Sequence, residues 1–361
     1  MKNKIKILLL VLLVILLIPI IIMSYYNTPL RITINDNEYI IYKDTEQIDL
    51  VSYNANDSIN ITKNNNNFNT SIANQKLKAK RMISIPHQKI NKDNYLTLNI
   101  KYLTGKKREI KINILPSTFP ELKLEGQSKL VGDYYLSTIK DNTMFNYQII
   151  INEKGEIAYY RLTPNKTYYF TKQDNDTYTY IEDNNLIILD SYFNLSKSIS
   201  NVENYLYINN DEYITYYDNK ISYLNNEEII WELEEPVGSM SLDLDGNILI
   251  VDTTKNIIKK ISIKDGKVLW KITNKKIKEP LNIVPTSKNK YTILTSSKRI
   301  NIELNKKNQI STIKVKDTNL EELYIKDGNT LKKYKNDNNT IIEDNDIKIE
   351  INCNISSISK K

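Results

Sequence analysis

The chain of 361 residues has one histidine, His87, and one cysteine, Cys353. Imidazole and thiolate are the side chains best suited to nucleophilic, general-base and soft metal-ligand roles near neutral pH. With one of each, a cysteine metal cluster and an internal disulfide are excluded, and most Ser-His-Asp and Cys-His constellations fall away. His87 follows a proline in SIPHQKI and reads as a loop or strand-edge residue without a role. The densest set of oxygen ligands, DLDGN (Asp243 to Asn247), is spaced like the start of a calcium loop. Such a loop takes its bidentate glutamate where this chain has Thr254, so an ordinary Asp-Gly turn is expected. The acids of EDNNLIILD and EDNDIKIE flank strand turns and read as solvated. Ser241, Lys259 and Lys260 have no recognisable base or orienting partner. The sequence therefore designates no catalytic, cofactor-binding or metal-ligating residue, and no cofactor is expected.

The elements around these residues are strands. From about Leu30 to Leu115 short runs alternate apolar and polar residues (LRITIND, EYIIYKD, SINITKN, YLTLNIKYL, REIKINIL), the period of half-buried strands. Residues 30–115 are expected to form a β-sandwich. LPSTFPEL, with two prolines and no strand pattern, reads as a junction, and residues 116–361 as a second domain. That domain repeats. NEKGEIAYYRL, NNEEIIWEL and IKDGKVLWKI each place a turn before branched apolar residues and an aromatic, Tyr159, Trp231 or Trp270; SYFNLSKSI and NKKNQISTI are weaker copies. A spacing of about 35 to 45 residues is that of a four-stranded propeller blade, which gives about six blades. The aromatics are expected between blades. Only 8 glycines are present, and asparagine, which tolerates positive φ, fills the turns instead.

Lys2, Lys4 and Lys6 precede an apolar run from Ile7 to Met23, long enough for a membrane helix despite Pro19. Tyr25 and Tyr26 follow where an aromatic belt would sit, and the flank lacks a small-x-small cleavage site. Residues 1–29 are thus expected to be an uncleaved anchor, with a cleaved signal as the alternative; either places the remainder outside the cytoplasm. Setting aside those three lysines lowers the net charge from +7 to +4. No basic run interleaves with aromatics, so nucleic acid is not an expected partner. The expected partners are the membrane and an extracellular ligand or protein. Several Asn-x-Ser/Thr sequons, among them Asn60, Asn165, Asn194 and Asn354, permit glycosylation without implying it. The 26 tyrosines against 5 phenylalanines match an AT-rich codon bias, with a tyrosine-lined carbohydrate or aromatic site as the alternative.

LPSTFPEL, GDYYLSTI, YQIIINEKGEIAYYRL and GSMSLDLDGNILIVDTTKNIIKKISIKDGKVLWKI occur in an order that resembles the bacterial and archaeal arylsulfotransferases. The resemblance covers about Leu115 to Thr273. It implies an all-β chain: an N-terminal β-sandwich, then a six-bladed β-propeller, here preceded by one transmembrane helix. It also implies transfer of a sulfuryl group between phenols through a channel histidine. The positions of that histidine segment correspond here to Gly238, Met240 and Ser241, and that of a following arginine to Thr253. No histidine follows His87, so no catalytic residue carries over. Three functions stay open: a non-catalytic binding module, an enzyme using Tyr or Lys nucleophiles, and an assembly scaffold for envelope proteins with an apolar stripe on the rim.

Overall fold

Alternation decides which face of each strand is buried. In Leu30–Ile34 the side chains of Leu30, Ile32 and Ile34 are buried and Arg31 is exposed; in Tyr95–Lys101, Leu96, Leu98 and Ile100 turn inward. A computed structural model describes residues 13–19, 28–64, 69–85, 95–102, 105–126, 130, 132–139, 145–209, 211–326, 329–336, 339–344 and 347–361, with backbone only for 322–326, 329–330 and 335–336. His87 and most of the apolar run from Ile7 to Met23 lie outside these residues. Residues 13–19 are helical with exposed apolar side chains. No helix among the described residues is long and apolar enough to cross a membrane.

The chain divides into two compact units, Met1–Phe119 with Ile157–Arg161, and Pro120–Glu156 with Leu162–Lys361. The first contains a four-stranded sheet ordered Asn37–Ile41, Leu30–Ile34, Ile59–Lys63, Ile83–Ile85. A five-stranded sheet is ordered Gln47–Asp49, Lys107–Asn113, Tyr95–Lys101, Asn69–Ile72, Gln75–Leu77. Ser52–Asn54 pairs with Tyr159–Arg161. There Tyr160 is fully buried, stacks on Tyr53 at 6.3 Å and packs on Phe119 at 5.2 Å. Its hydroxyl reaches the carbonyls of Ile114 and Leu50. Burial also pushes the Tyr53 phenol up to about 12.

The second unit is an all-β propeller of six sheets in chain order. Blade two is Thr167–Lys172, Tyr178–Glu182, Asn185–Leu189 and Leu195–Ser200. Blade three is Asn204–Asn209, Glu212–Tyr217, Lys220–Asn225 and Glu228–Glu234. Blade four is Ser239–Leu242, Ile248–Asp252, Ile257–Ile261 and Val268–Ile272. Blade five is Pro280–Ser287, Lys290–Thr295, Lys298–Leu304 and Ile310–Asp317. Blade six runs Leu320–Lys326, Asn329–Asn336, Asn339–Asp344, Ile347–Ile351 and adds Leu122–Glu125 on its outside. In blade one the inner strand is the C-terminal Asn354–Lys360, paired with Tyr134–Ile139 and then Asn146–Ile151. The ring is thus closed twice, once by an early strand and once by the last one.

Neighbouring blades meet along their first strands. Between blades one and two, Ser356 Oγ lies within hydrogen-bonding distance of the carbonyls of Ser137 and Thr167, and Ser359 Oγ donates to that of Phe170. Between blades two and three, Tyr205 reaches the carbonyl of Tyr169 at 3.1 Å. Asparagine and aspartate do take over from glycine: the central pairs Asp183-Asn184 and Asp218-Asn219 both have positive φ, as a two-residue hairpin turn requires. Several tyrosines fill core volume, and Tyr134, Tyr135, Tyr147 and Tyr291 are fully buried, whereas Tyr42, Tyr95 and Tyr192 are exposed.

In blades two to five the sequence repeat maps onto one place, the turn into the outermost strand. In blades two to five that strand carries a β-bulge just after its start. The residue following the bulge pairs with the third strand and is Lys197, Trp231, Trp270 or Thr312, respectively. As expected, both tryptophans pack between blades. Trp231 Nε1 donates to Ile263 O at 2.8 Å, and the Trp270 ring meets Tyr291 of blade five at 5.6 Å.

Candidate binding grooves

The positions where the resemblance would put sulfuryl chemistry hold structural contacts. A side chain at Gly238 would collide with Thr253 Oγ1, and Thr253 itself donates to Pro280 O at 2.8 Å. Met240 is buried, and Ser241 Oγ donates to Ile283 O at 2.7 Å. Contrary to expectation, Ser241, Lys259 and Lys260 all have partners. Lys259 Nζ lies 2.5 Å from Glu235, and Lys260 Nζ lies 2.5 Å from Asp243 and 2.6 Å from Asp245. Tyr291 donates a further bond of 2.9 Å to Asp243. These partners come from turns and from the next blade, so linear spacing does not display them.

The Asp243 to Asn247 turn therefore cradles an ammonium. Its backbone closes through Asp243 N to Asn247 O and Gly246 N to Asp243 O. Burial works against the charge on Lys260, but the hydrogen bonds it donates to Asp243 and Asp245, together with the charges of those carboxylates, outweigh it and raise its pKa. Burial likewise works to raise the Asp245 carboxyl, and the Lys260 and Asn247 contacts overcome it and hold that carboxyl low. No group of three or more His, Cys, Asp or Glu among the described residues could hold a metal ion.

Open space lies beside blades two and five, which lack the tryptophan. A groove of about 510 Å³ separates blade two from blade three, with Ser198, Ile199 and Ser200 on one wall and Thr215, Tyr217 and Ser222 on the other. A groove of about 680 Å³ lies beside the outermost strand of blade five. It is lined by Lys275, Lys276 and Lys278 from the link between blades four and five, and by Lys298, the first residue of the third strand of blade five. No carboxylate of the described residues pairs with these four ammonium groups, although Glu279 also lines the groove. Thr295 and Val315 complete a floor that is part hydroxyl and part apolar. Four unpaired cations around one concavity concentrate positive potential there, which suits an anionic ligand. The signal in the sequence was the NKKIKEP stretch; the fourth lysine joins it only through the fold.

The chain matches no family model and no curated protein. Solved structures to which it is similar include a streptogramin B lyase (TM-score 0.43, 14% identity, covering 73% of this chain and 91% of that one). Another is a protein of unknown function from Bacteroides caccae (TM-score 0.42, 12% identity, 60% and 91%). A third is the WD40 β-propeller domain of Doa1 (TM-score 0.41, 11% identity, 75% and 88%). The propeller assignment rests on this chain's own sheet order and ring closure.

Proposed function

We propose that the chain is a membrane-anchored, extracytoplasmic propeller on an arylsulfotransferase-like scaffold. It binds an anionic ligand in the lysine groove of blade five and carries out no sulfuryl transfer. One observation carries the reading. The groups that the resemblance places where chemistry would occur, Ser241 and Thr253, are engaged in holding blades four and five together, as is the nearby Lys260–Asp243–Tyr291 chain, while no carboxylate of the described residues pairs with the lysines of the groove. The basic N-terminus and the exposed apolar helical residues 13–19 support the anchor.

The test uses the full chain in detergent. A chromogenic aryl sulfate and a phenol acceptor should give no turnover, in the parent or in His87→Ala; turnover that survives His87→Ala would reveal a different nucleophile and overturn the non-catalytic reading. Dextran sulfate should bind, and Lys275→Glu/Lys276→Glu/Lys278→Glu should weaken it by at least about ten-fold at low salt. Lys288→Glu/Lys306→Glu/Lys307→Glu, a charge-matched control on other turns of blade five, should lose far less. Equal losses in the two variants would reduce the effect to net charge and remove the groove from the reading. The anchor predicts that the chain stays with membranes through an alkaline wash and that removing residues 1–29 releases it.

A further inference from the structure

The seam between blades two and three differs from the two that follow it. In blades three and four the residue after the bulge is a tryptophan packed against the next blade. In blade two it is Lys197, which reaches across to Asp211 at 3.6 Å and Glu227 at 3.0 Å. A thin, polar tether thus stands where a bulky ring would fill the seam. The 510 Å³ groove opens beside it and runs from Asp218, in the turn between the second and third strands of blade three, to Glu227, in the turn before the fourth.

One wall of this groove is a sheet edge. Leu195–Ser200 is the outermost strand of blade two, paired only with Asn185–Leu189. Consecutive residues Ser198, Ile199 and Ser200 all line the cavity. Their side chains alternate between faces, so the shared surface is the backbone edge itself. Such an edge presents unpaired N–H and C=O groups. The charges that line the groove are mostly matched internally: Lys220 lies 3.4 Å from Glu232, and Lys197 holds Glu227. Asp218, at the far end, has a carboxylate with no partner among the described residues.

We propose that this seam receives an extended peptide segment. The segment pairs as a fifth strand with Leu195–Ser200, packs small or β-branched side chains toward Thr215 and Ser222, and sets a Lys or Arg against Asp218. Backbone pairing supplies adhesion and Asp218 supplies direction and selectivity. This site is separate from the lysine groove and does not depend on what binds there.

The probe is an acetylated eight-residue peptide of alternating threonine and valine with one terminal lysine, compared with its glutamate counterpart, on the full chain in detergent. Hydrogen exchange should slow at the amides of residues 195–200 with the lysine peptide, by about ten-fold at ten times Kd. Asp218→Asn should weaken that peptide about two- to five-fold and abolish the preference over the glutamate form. Lys197→Trp, which copies the plug of blades three and four, should remove binding while the melting temperature is kept. The Lys275/Lys276/Lys278 charge reversal should leave peptide binding intact, which separates failure of this site from failure of the lysine groove. Unchanged exchange at 195–200 with both peptides at millimolar concentration would overturn the proposal. Protection by maltoheptaose but by neither peptide would also overturn it, in favour of a saccharide groove.

Discussion

Replacing Lys260 by methionine keeps the side-chain length and removes the charge that two carboxylates share. The lysine side chain is 10% exposed and that of Asp243 is 6% exposed, whereas Asp245 is 55% exposed. The bond to Asp245 is therefore worth little, about 0.2–1 kcal/mol, because water solvates that carboxylate whether or not the lysine is present. The bond to Asp243 matters through its absence. Without the ammonium, a buried carboxylate keeps only the Tyr291 hydroxyl at 2.9 Å and its local contact with Leu244 N at 2.8 Å. Stranding a buried charge in this way costs about 3–5 kcal/mol. For a unit of this size 1 kcal/mol shifts Tm by about 2–4 °C, so Lys260→Met should lower the propeller's Tm by roughly 6–20 °C. Asp245→Asn should lower it by no more than about 4 °C. Lys260→Met/Asp243→Leu should recover most of the loss, since an apolar pair can replace a buried ion pair at little net cost. Scanning calorimetry on these four proteins and on Asp243→Leu alone tests the reasoning. A Lys260→Met variant that melts with the parent, or a double variant as unstable as the sum of its singles, would refute it.

The same cradle fixes a pH dependence. The folded-state pKa of Lys260 is raised, so its contribution is complete below the unfolded value of about 10.4 and is lost as pH rises through the higher folded value. Asp245 is shifted down, so its smaller contribution is present above about pH 4 and lost as pH falls through its depressed value. The Tm gap between parent and Lys260→Met should thus stay flat through neutral pH and narrow toward both extremes. Gly266→Ala should destabilise blade four by more than about 1 kcal/mol in urea melts, because φ is +69° and the new carbon would sit 3.0 Å from the Trp231 ring. Tyr160→Phe should cost the first unit about 1–3 kcal/mol by leaving the buried Ile114 carbonyl without its hydroxyl partner, read as a shift in that unit's own denaturation transition. Removing residues 354–361 should abolish cooperative melting of the propeller and expose apolar surface to a hydrophobic dye, since blade one then lacks its inner strand.

Much of the propeller was legible because its period is written in local chemistry. A turn, one or two branched apolar residues and an aromatic recur in the clear copies of the repeat, and neither the Asn-rich turns nor the few glycines disturb that rhythm. The weak copies were informative too. SYFNLSKSI and NKKNQISTI lack the aromatic, at Lys197 and Thr312, and both grooves lie beside the strands they form. The cradle around Lys260 was not legible, since Asp243 and Tyr291 approach it from a turn 17 residues before it and from the next blade. Nor was the placement of Leu122–Glu125. Its strand partner is Ile347–Ile351, and no local pattern encodes a pairing that far along the chain.

Double closure of the ring sets a kinetic asymmetry. A hairpin inside a blade joins residues a few positions apart and pays roughly 2 kcal/mol of closure entropy, whereas the pair Tyr134 with Lys360 closes a loop of over 200 residues at about 5 kcal/mol. Blades two to five can form early and cheaply. The ends of the chain must wait, and Leu122–Glu125 stays an unpaired edge until the sixth blade arrives. High contact order at the closing step slows folding, and a chain halted before its last strand is the species most exposed to mispairing. Once the last strand is seated, its pairing with Tyr134–Ile139 and that of Leu122–Glu125 with Ile347–Ile351 must both be broken before the first and sixth blades come apart, which adds to the barrier against opening the ring there.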